Sequence, residues 1–306
     1  MDGTGGTAGA DVRAEGLGLK GPRGWAFRGV TLDAGPGSLI AIEGPSGSGR
    51  TCLLLALTGR MKPTEGVAAV GGFKLPRHMA ALRRVSAVAN VPGVTDLEPA
   101  LTVGEHLRER ALLQRRFGES LRELLNPRPH RAHEARLRVD AALAAAGLDL
   151  ESLPKGARTP VRDLERLEEL RLSVALALIG RPRLLGVDDV DMKLSDAERA
   201  EMWDLLRSLT RAGTTVVAVS RTAPADCVAV STGTSATPAS PTPAGAAAAS
   251  TTPASTTPAS TTPASTTAAD SGSSTDTGRR SAPEAGAEGS DAKEEAEDAL
   301  TEAGRA

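Results

Sequence analysis

Apolar and polar positions follow two alternating patterns between residues 11 and 230. Short, largely apolar runs at 30–43, 85–89, 184–189 and 214–220 are typical of buried strands, and the run at 184–189 ends in two aspartates. Longer segments between them carry apolar residues at every third or fourth position, which predicts amphipathic helices. Because the two patterns alternate, we expect an α/β domain whose last strand is the run at 214–220.

The longest stretch of helical spacing runs from residue 102 to about residue 147. Within it, the Asn-Pro-Arg-Pro sequence at 126–129 predicts a break between two helices. Further helices are predicted at 165–179 and 196–212. The strands therefore form a core into which a helical segment is inserted.

Composition changes abruptly near residue 230. Residues 231–306 are rich in Ser, Thr, Pro, Ala and acidic residues, and 250–267 repeats Ser-Thr-Thr-Pro-Ala. Such a segment buries too little apolar surface to offset the entropy lost on ordering. We expect 231–306 to be a disordered spacer or tether, and residues 1–10 to be a flexible leader.

Charge and cysteine content restrict the classes of function. The net charge of −2 provides no overall basic field, so we expect no nucleic-acid partner. The basic stretches at 108–116 and 128–138 contain interleaved glutamates and apolar residues, which we interpret as solvated helix faces. Cys52 and Cys227 form no disulfide or metal-binding pattern. No export signal or membrane-spanning run of about 20 apolar residues is present, which favours a cytoplasmic location.

The candidate chemistry begins at residues 44–51, which read Gly-Pro-Ser-Gly-Ser-Gly-Arg-Thr. This matches the phosphate-binding pattern G-x-x-x-x-G-K-[ST] except at Arg50, which occupies the lysine position. The apolar run at 38–43 predicts a strand before it, and 52–57 continue as a helix. Glycines let backbone N–H groups surround phosphate oxygens, and a helix N-terminus adds positive potential. A plain Gly/Ser-rich turn is the alternative, which the flanking strand and helix disfavour. The candidate nucleotide-binding residues are Gly44, Ser46, Gly47, Ser48, Gly49, Arg50, Thr51 and Cys52.

Two further phrases extend this pattern. Residues 101–107 read Leu-Thr-Val-Gly-Glu-His-Leu, and 180–185 read Gly-Arg-Pro-Arg-Leu-Leu. In this order and spacing, residues 11–230 resemble the nucleotide-binding subunit of an ATP-binding cassette (ABC) transporter. The resemblance implies a P-loop NTPase fold with an antiparallel β subdomain and a helical subdomain at about 102–165, followed by the disordered tail.

The resemblance also implies that ATP and Mg²⁺ are cofactors and assigns roles at the site. Thr51 and Asp188 would bind Mg²⁺, with Asn90 at the position of the family's Q-loop glutamine, a metal-binding and catalytic position. Asp189 would polarise the attacking water, and Arg221 lies at the position of the switch histidine.

An aromatic residue before the phosphate loop usually stacks on adenine in this family. The chain has no tyrosine, and Trp25 and Phe27 are the two candidates. Packing in the core is the alternative fate for either ring.

Several positions depart from the family pattern. Arg50 keeps the positive charge and can contact phosphate through a forked guanidinium. Asp189 is shorter than the usual glutamate by about 1.5 Å, and a displacement of about 1 Å can cost about 10²-fold in rate. Ser195 stands at the position of the D-loop aspartate. The signature L-S-G-G-Q is replaced by Leu-Glu-Arg-Leu-Glu at 164–168. Its carboxylates would repel a triphosphate, unless they simply begin an exposed helix with Asp163 near the N-cap.

The resemblance therefore implies an ATP-binding subunit of an ABC transporter complex, with weak or partner-dependent hydrolysis. It would dock on membrane permease helices through the cleft near Asn90 and the helical subdomain, on the inner face of the cell membrane. Because family sites combine motifs from two subunits, a dimer with an intact ABC subunit is favoured over a homodimer. A pseudo-ATPase scaffold or regulator and a soluble non-transport ABC protein remain alternatives.

Overall fold

The computed structural model describes residues 9–117 and 128–232, with side chains outside 115–131. In these ranges the chain forms nine strands and six α-helices. The strands are β1 (Val12–Gly21), β2 (Gly24–Ala34), β3 (Leu39–Glu43), β4 (Glu65–Val70), β5 (Phe73–Leu75), β6 (Ser86–Ala89), β7 (Leu184–Val187), β8 (Thr215–Val219) and β9 (Val228–Ser231). The helices are α1 (Arg50–Leu57), α2 (Met79–Val85), α3 (Val103–Phe117), α4 (Arg128–Ala145), α5 (Arg166–Leu178) and α6 (Asp196–Arg211).

The strands form two sheets of different character. One is antiparallel, in the order β2-β1-β4-β5, and the other is parallel, in the order β6-β7-β8-β3-β9. Strand β3 is buried on both faces, which explains its uninterrupted apolar sequence. Ile40 and Ile42 pack with α1 and the antiparallel sheet, whereas Leu39 and Ala41 pack with α5 and α6. The expected P-loop NTPase architecture with an antiparallel β subdomain is confirmed.

The structure corrects two strand predictions. The apolar run at 30–43 is two strands, β2 and β3, because Gly35-Pro36-Gly37 turns the chain and Gly37 adopts a φ of 74°. The run at 214–220, β8, is not the last strand, since β9 follows and pairs in parallel with β3. The ordered chain therefore extends past residue 230. The predicted tail from residue 233 onward and the leader up to residue 8 lie outside the described residues.

The helical predictions agree more closely. The segments at 165–179 and 196–212 correspond to α5 and α6. Helix α4 starts at Arg128, so Pro129 lies in its first turn, where a missing N–H costs little. The first half of the predicted break, 126–127, lies outside the described residues. Ser195 is the N-cap of α6 and exchanges hydrogen bonds with Glu198, which gives this D-loop position a structural role.

Candidate functional site

The phosphate loop joins the carboxyl end of β3 to the start of α1, as the sequence predicts. Gly44, Gly47 and Gly49 have φ values of 148°, 80° and 84°, which side chains disfavour. A Cβ on Gly49 would also overlap the carbonyl oxygen of Ala26. Glycine is therefore required at this position for two independent reasons.

The hydroxyl of Thr51 donates a 2.7 Å hydrogen bond to Oδ2 of Asp188, which follows β7. The carboxylate is almost fully buried, and its other oxygen accepts the N–H of Asp189 at 3.1 Å. Burial raises the pKa of Asp188, and the charge of Asp189 adds to this, while the hydrogen bond from Thr51 opposes it. A hydroxyl and a carboxylate oxygen held together at a phosphate loop are the hard donors that Mg²⁺ prefers. The residues present therefore fit this metal.

Arg50 is buried and crosses from the phosphate loop to the end of β8. Its Nη1 donates a 2.6 Å hydrogen bond to the carbonyl oxygen of Ser220, and its Nη2 lies 3.8 Å from Oδ1 of Asp189. The residue at the lysine position is thus bound within the protein and neutralised in part by a candidate catalytic carboxylate. Asp189 itself has a φ of 45°, which is an uncommon backbone conformation for a residue other than glycine.

Asn90 follows β6 and is used at both ends of its side chain. Its Nδ2 donates to the carbonyl oxygen of Asp188 at 2.7 Å, and its Oδ1 accepts from Nη2 of Arg166 at 3.1 Å. Its backbone N–H donates to Oγ of Ser173 at 2.7 Å. Asn90 therefore lies beside the candidate metal ligand, where its amide braces the end of β7.

Arg166 is the residue of this network that sequence reasoning missed. It lies at the first position of α5, inside the altered signature, and also pairs with Glu169 at 2.8 Å. The N-cap of α5 is Glu165, and Asp163 lies two residues before it, at the end of a short 3-10 turn. The N–H of Glu165 donates to Oε2 of Glu168 at 2.9 Å. Two of the carboxylates at 163–169 thus serve local helix structure.

The other candidate residues in and around the phosphate loop differ in solvent exposure and in their contacts. Arg221 is exposed, and its backbone N–H donates to Oδ2 of Asp191 at 2.8 Å. Ser46 is exposed, whereas Oγ of Ser48 lies 2.6 Å from Oγ1 of Thr232, a second contact that sequence reasoning missed. Cys52 is half-buried, and burial raises the pKa of its thiol.

The aromatic candidates separate clearly in the structure. Phe27 is buried in the core, whereas Trp25 is 42% exposed. The guanidinium of Arg28 lies 4.5 Å from the centroid of the Trp25 ring, and Nζ of Lys20 lies at 5.7 Å. Arg28 is in turn held by both carboxylate oxygens of Glu65. Trp25 is therefore the accessible ring of the two.

The parallel sheet, the glycine loop at the end of β3 and the acidic pair after β7 together define a P-loop nucleotide-binding domain. The sequence model of the ABC transporter family matches residues 27–191, more than half of the chain, and the chain belongs to this family. The family resemblance noted in the sequence is confirmed.

Curated relatives carry the name Nod factor export ATP-binding protein I. The protein from Cupriavidus metallidurans is 32% identical over 190 residues, which cover 61% of this chain and 55% of that protein. The protein from Rhizobium etli is 28% identical over 188 residues, or 61% and 53%. The chain thus spans about half the length of the curated relatives it matches.

Solved structures show the same fold. A dimeric, post-hydrolysis structure of the ATP-binding cassette MJ0796 bound to ADP and Pi has a TM-score of 0.53 at 24% identity, covering 69% of this chain and 88% of that one. The structure of cbiO1 from Clostridium perfringens has a TM-score of 0.56 at 19% identity, covering 72% and 86%. Within the described ranges, no helix has both the length and the apolar character needed to cross a membrane.

Proposed function

We propose that this chain is the ATP-binding subunit of an ABC transporter complex, which binds MgATP at residues 44–51 and hydrolyses it weakly or only with a partner. The observation that carries the proposal is the 2.7 Å hydrogen bond between Thr51 and Asp188. It joins the end of the phosphate loop to the acidic residue after β7, as a shared magnesium site requires.

Each residue has a defined part in this proposal. Backbone N–H groups of the loop would bind the phosphates, and Thr51 and Asp188 would hold Mg²⁺, which neutralises phosphate charge when bound. Asn90 would position the end of β7 through the carbonyl oxygen of Asp188. Trp25 would stack on the adenine, either on its free ring surface or after Arg28 moves aside.

The hydrogen bond between Arg50 and Ser220 supports weak hydrolysis. To contact a phosphate, the guanidinium has to leave a buried carbonyl oxygen and the nearby carboxylate of Asp189. The same ion pair withdraws Asp189 from its proposed role of polarising water. Arg221, exposed beyond Ser220, would contribute positive charge in place of the switch histidine.

A groove beside the Asn90 segment supports the proposed coupling to a membrane permease. A cavity of about 300 Å³ lies between β6, α3 and α5, and its lining includes the exposed apolar residues Val94 and Leu113. The curated relatives are named as export ATP-binding proteins. We propose that a short apolar helix of a permease occupies this groove, so that the subunit is cytoplasmic and peripheral on the inner face of the membrane.

The altered signature bears on the dimer that this subunit forms. MJ0796 is a dimer in its solved structure. The carboxylate of Glu168 accepts the backbone N–H of Glu165 at the start of α5, and Arg166 donates to Asn90 in the same chain. We therefore propose a dimer with a subunit whose signature is intact, in preference to a homodimer.

We also propose a division of the chain into two parts. A nucleotide-binding domain from about residue 11 is followed by a tail that acts as a tether.

Calorimetric titration of the full chain with MgATP tests the proposal. We expect saturable binding that survives Thr51→Ser, which keeps the hydroxyl, and is lost in Thr51→Ala. Retained affinity in Thr51→Ala, in a variant shown to be folded, would contradict the proposed metal site.

A second candidate function, a pseudo-ATPase scaffold, is favoured by the internal binding of Arg50 and Arg166. Steady-state phosphate release distinguishes the two functions. If the chain is a transporter subunit, we expect slow phosphate release that accelerates when an intact partner subunit is added. The scaffold predicts no release above that of an Asp188→Asn, Asp189→Asn double variant, with or without the partner.

A further inference from the structure

A cavity lined by arginines lies at the end of the parallel sheet opposite the phosphate loop. It has a volume of about 570 Å³ and is formed where β6 begins, where α1 has ended, and along α2 and α3. The strands of this sheet are parallel, so their amino ends lie away from the loop that follows β3. Four arginines line the cavity: Arg60, Arg83, Arg84 and Arg110.

Among the described residues, three of these arginines donate hydrogen bonds, and every acceptor is an uncharged oxygen. Arg60 donates to the carbonyl oxygen of Thr58 at 2.8 Å and to Oγ and the carbonyl oxygen of Ser86 at 3.0 and 3.2 Å. Arg83 donates to the carbonyl oxygen of Gly59 at 2.9 Å.

Arg110 likewise donates to a carbonyl oxygen, that of Leu176, at 3.1 Å. Among the residues that the structure describes, no aspartate or glutamate forms an ion pair with any of the four arginines. Elsewhere in the fold arginines do find carboxylates, as Arg28 does with Glu65. Within the described ranges, the charge of the cavity therefore has no carboxylate to compensate it.

The electrostatic cost of this arrangement is visible at Arg60. Burial, followed by the charges of Arg110 and Arg83, lowers the pKa of Arg60 to about 10. Burial also lowers the pKa of Arg110. The interpretation of 108–116 as a solvated helix face is thus wrong for Arg110, which is half-buried against α5. Like charges held together without a counter-charge are stabilised when an anion binds between them.

We propose that this cavity is a binding site for a phosphate-bearing anion, separate from the nucleotide site. Guanidinium groups match the geometry of phosphate oxygens and bind them through paired, charge-assisted hydrogen bonds. The hydrogen bonds to Thr58, Gly59, Ser86 and Leu176 hold three of the guanidiniums in place and leave other N–H groups unused by described residues. The volume lies within the range of roughly 300–1,000 Å³ common for small-molecule sites.

The phosphate could come from a soluble compound or from a lipid headgroup, and both sources share the same chemistry. Two probes separate them: sodium pyrophosphate, titrated calorimetrically at constant ionic strength, and sedimentation with phosphatidylcholine vesicles that contain phosphatidic acid. Vesicles of phosphatidylcholine alone are the lipid control. All measurements use the full chain.

Matched variants locate the site. Arg110→Gln and, independently, the exposed Arg84→Gln should each weaken binding by about tenfold or more, since charge-assisted hydrogen bonds are lost. Arg108→Gln lies on the same helix, is exposed and does not line the cavity, so it should leave binding unchanged. Thr51→Ala should also leave it unchanged, because the phosphate loop is at the other end of the sheet.

Each outcome has a defined meaning. Binding of pyrophosphate alone supports the proposal with a soluble ligand, and binding to phosphatidic acid vesicles supports it with a lipid ligand. Binding of neither probe overturns the proposal. Loss of binding in Thr51→Ala together with full binding in both Arg84→Gln and Arg110→Gln also overturns it, because the anion then occupies the phosphate loop. Equal losses in Arg108→Gln and Arg110→Gln overturn it as well, since they indicate nonspecific charge attraction.

Discussion

The guanidinium of Arg50 donates a 2.6 Å hydrogen bond to the carbonyl oxygen of Ser220, which ties the phosphate loop to the end of β8. Ser220 is fully buried, so this carbonyl oxygen has little access to water. A residue at the position that contacts phosphate thereby also becomes part of the core. The exchange of lysine for arginine consequently alters stability as well as chemistry.

The hydrogen bond between Arg50 and Ser220 should stabilise the fold. Arg50→Ala should lower the free energy of unfolding by about 1–3 kcal/mol, because a buried carbonyl oxygen loses its donor. Denaturant unfolding monitored by circular dichroism measures the change. Arg158→Ala, at an exposed position, is the control and should change it by less than about 0.5 kcal/mol. Equal effects of the two substitutions would show that the Arg50 bond adds no stability.

Two glycines of the phosphate loop provide a matched comparison. Gly47 and Gly49 have nearly the same φ, but a Cβ at Gly47 meets no atom within 4 Å, whereas one at Gly49 overlaps Ala26. Gly47→Ala should cost about 1–2 kcal/mol for the left-handed conformation alone. Gly49→Ala should cost about 4 kcal/mol or more, because the backbone has to move. Thermal or denaturant unfolding measures the loss in free energy of unfolding for each variant. Equal losses would contradict the close packing between the loop and β2.

Asp188 should destabilise the protein at neutral pH while it serves the site. Its pKa is raised on folding, so the native state binds the proton more tightly and stability falls as pH rises from the unfolded pKa through the folded one. Asp188→Asn removes this loss of stability, because the asparagine has no charge to bury. Its Oδ1 can accept the N–H of Asp189, and its Nδ2 can donate to the hydroxyl oxygen of Thr51.

The melting temperature of Asp188→Asn should therefore exceed that of the wild type near pH 7. The difference should vanish below the unfolded pKa of about 3.9. Asp33→Asn, at an exposed site, is the control and should show little difference at either pH. A variant less stable than the wild type at pH 7 would contradict the account of this carboxylate.

Trp25 should report nucleotide binding. The chain has two tryptophans, and Trp203 is buried, so a Trp203→Phe variant isolates the emission of Trp25. MgATP should change that emission if adenine stacks on the ring, and Arg28→Gln should strengthen the response because it frees one ring surface. An unchanged emission at saturating MgATP would remove Trp25 from the site.

Local sequence was sufficient for the phosphate loop, β3, β7 and helices α5 and α6. Apolar runs and glycine spacing determine local structure through residues that are close together in the chain. Such structure can therefore be predicted from the sequence pattern. Strand β9 was missed because it is short, is exposed at three of its four residues and leads into a low-complexity segment. Its neighbour Thr232 reaches Ser48 from 184 residues away, and spacing contains no trace of such a contact.

The same limitation applies to charged residues. Arg166 and Arg110 both fall in stretches that read as exposed, charged helix surface. The structure turns Arg166 towards Asn90 and leaves Arg110 half-buried against α5, because helices from distant parts of the sequence pack there. The partner of a long charged side chain is set by tertiary packing, which is why the altered signature could be located from sequence but its contacts could not.

Calorimetric titration of the full chain with ATP, with Mg²⁺ present and then with Mg²⁺ removed by a chelator, tests the central claim most directly. Thr51 and Asp188 hold a metal in this account, so saturable binding should weaken by about tenfold or more when Mg²⁺ is removed, as expected for the loss of about 1.4 kcal/mol or more of binding free energy. No saturable binding at millimolar MgATP, or equal affinity with and without the metal, would contradict the claim that this loop remains a magnesium-dependent ATP site.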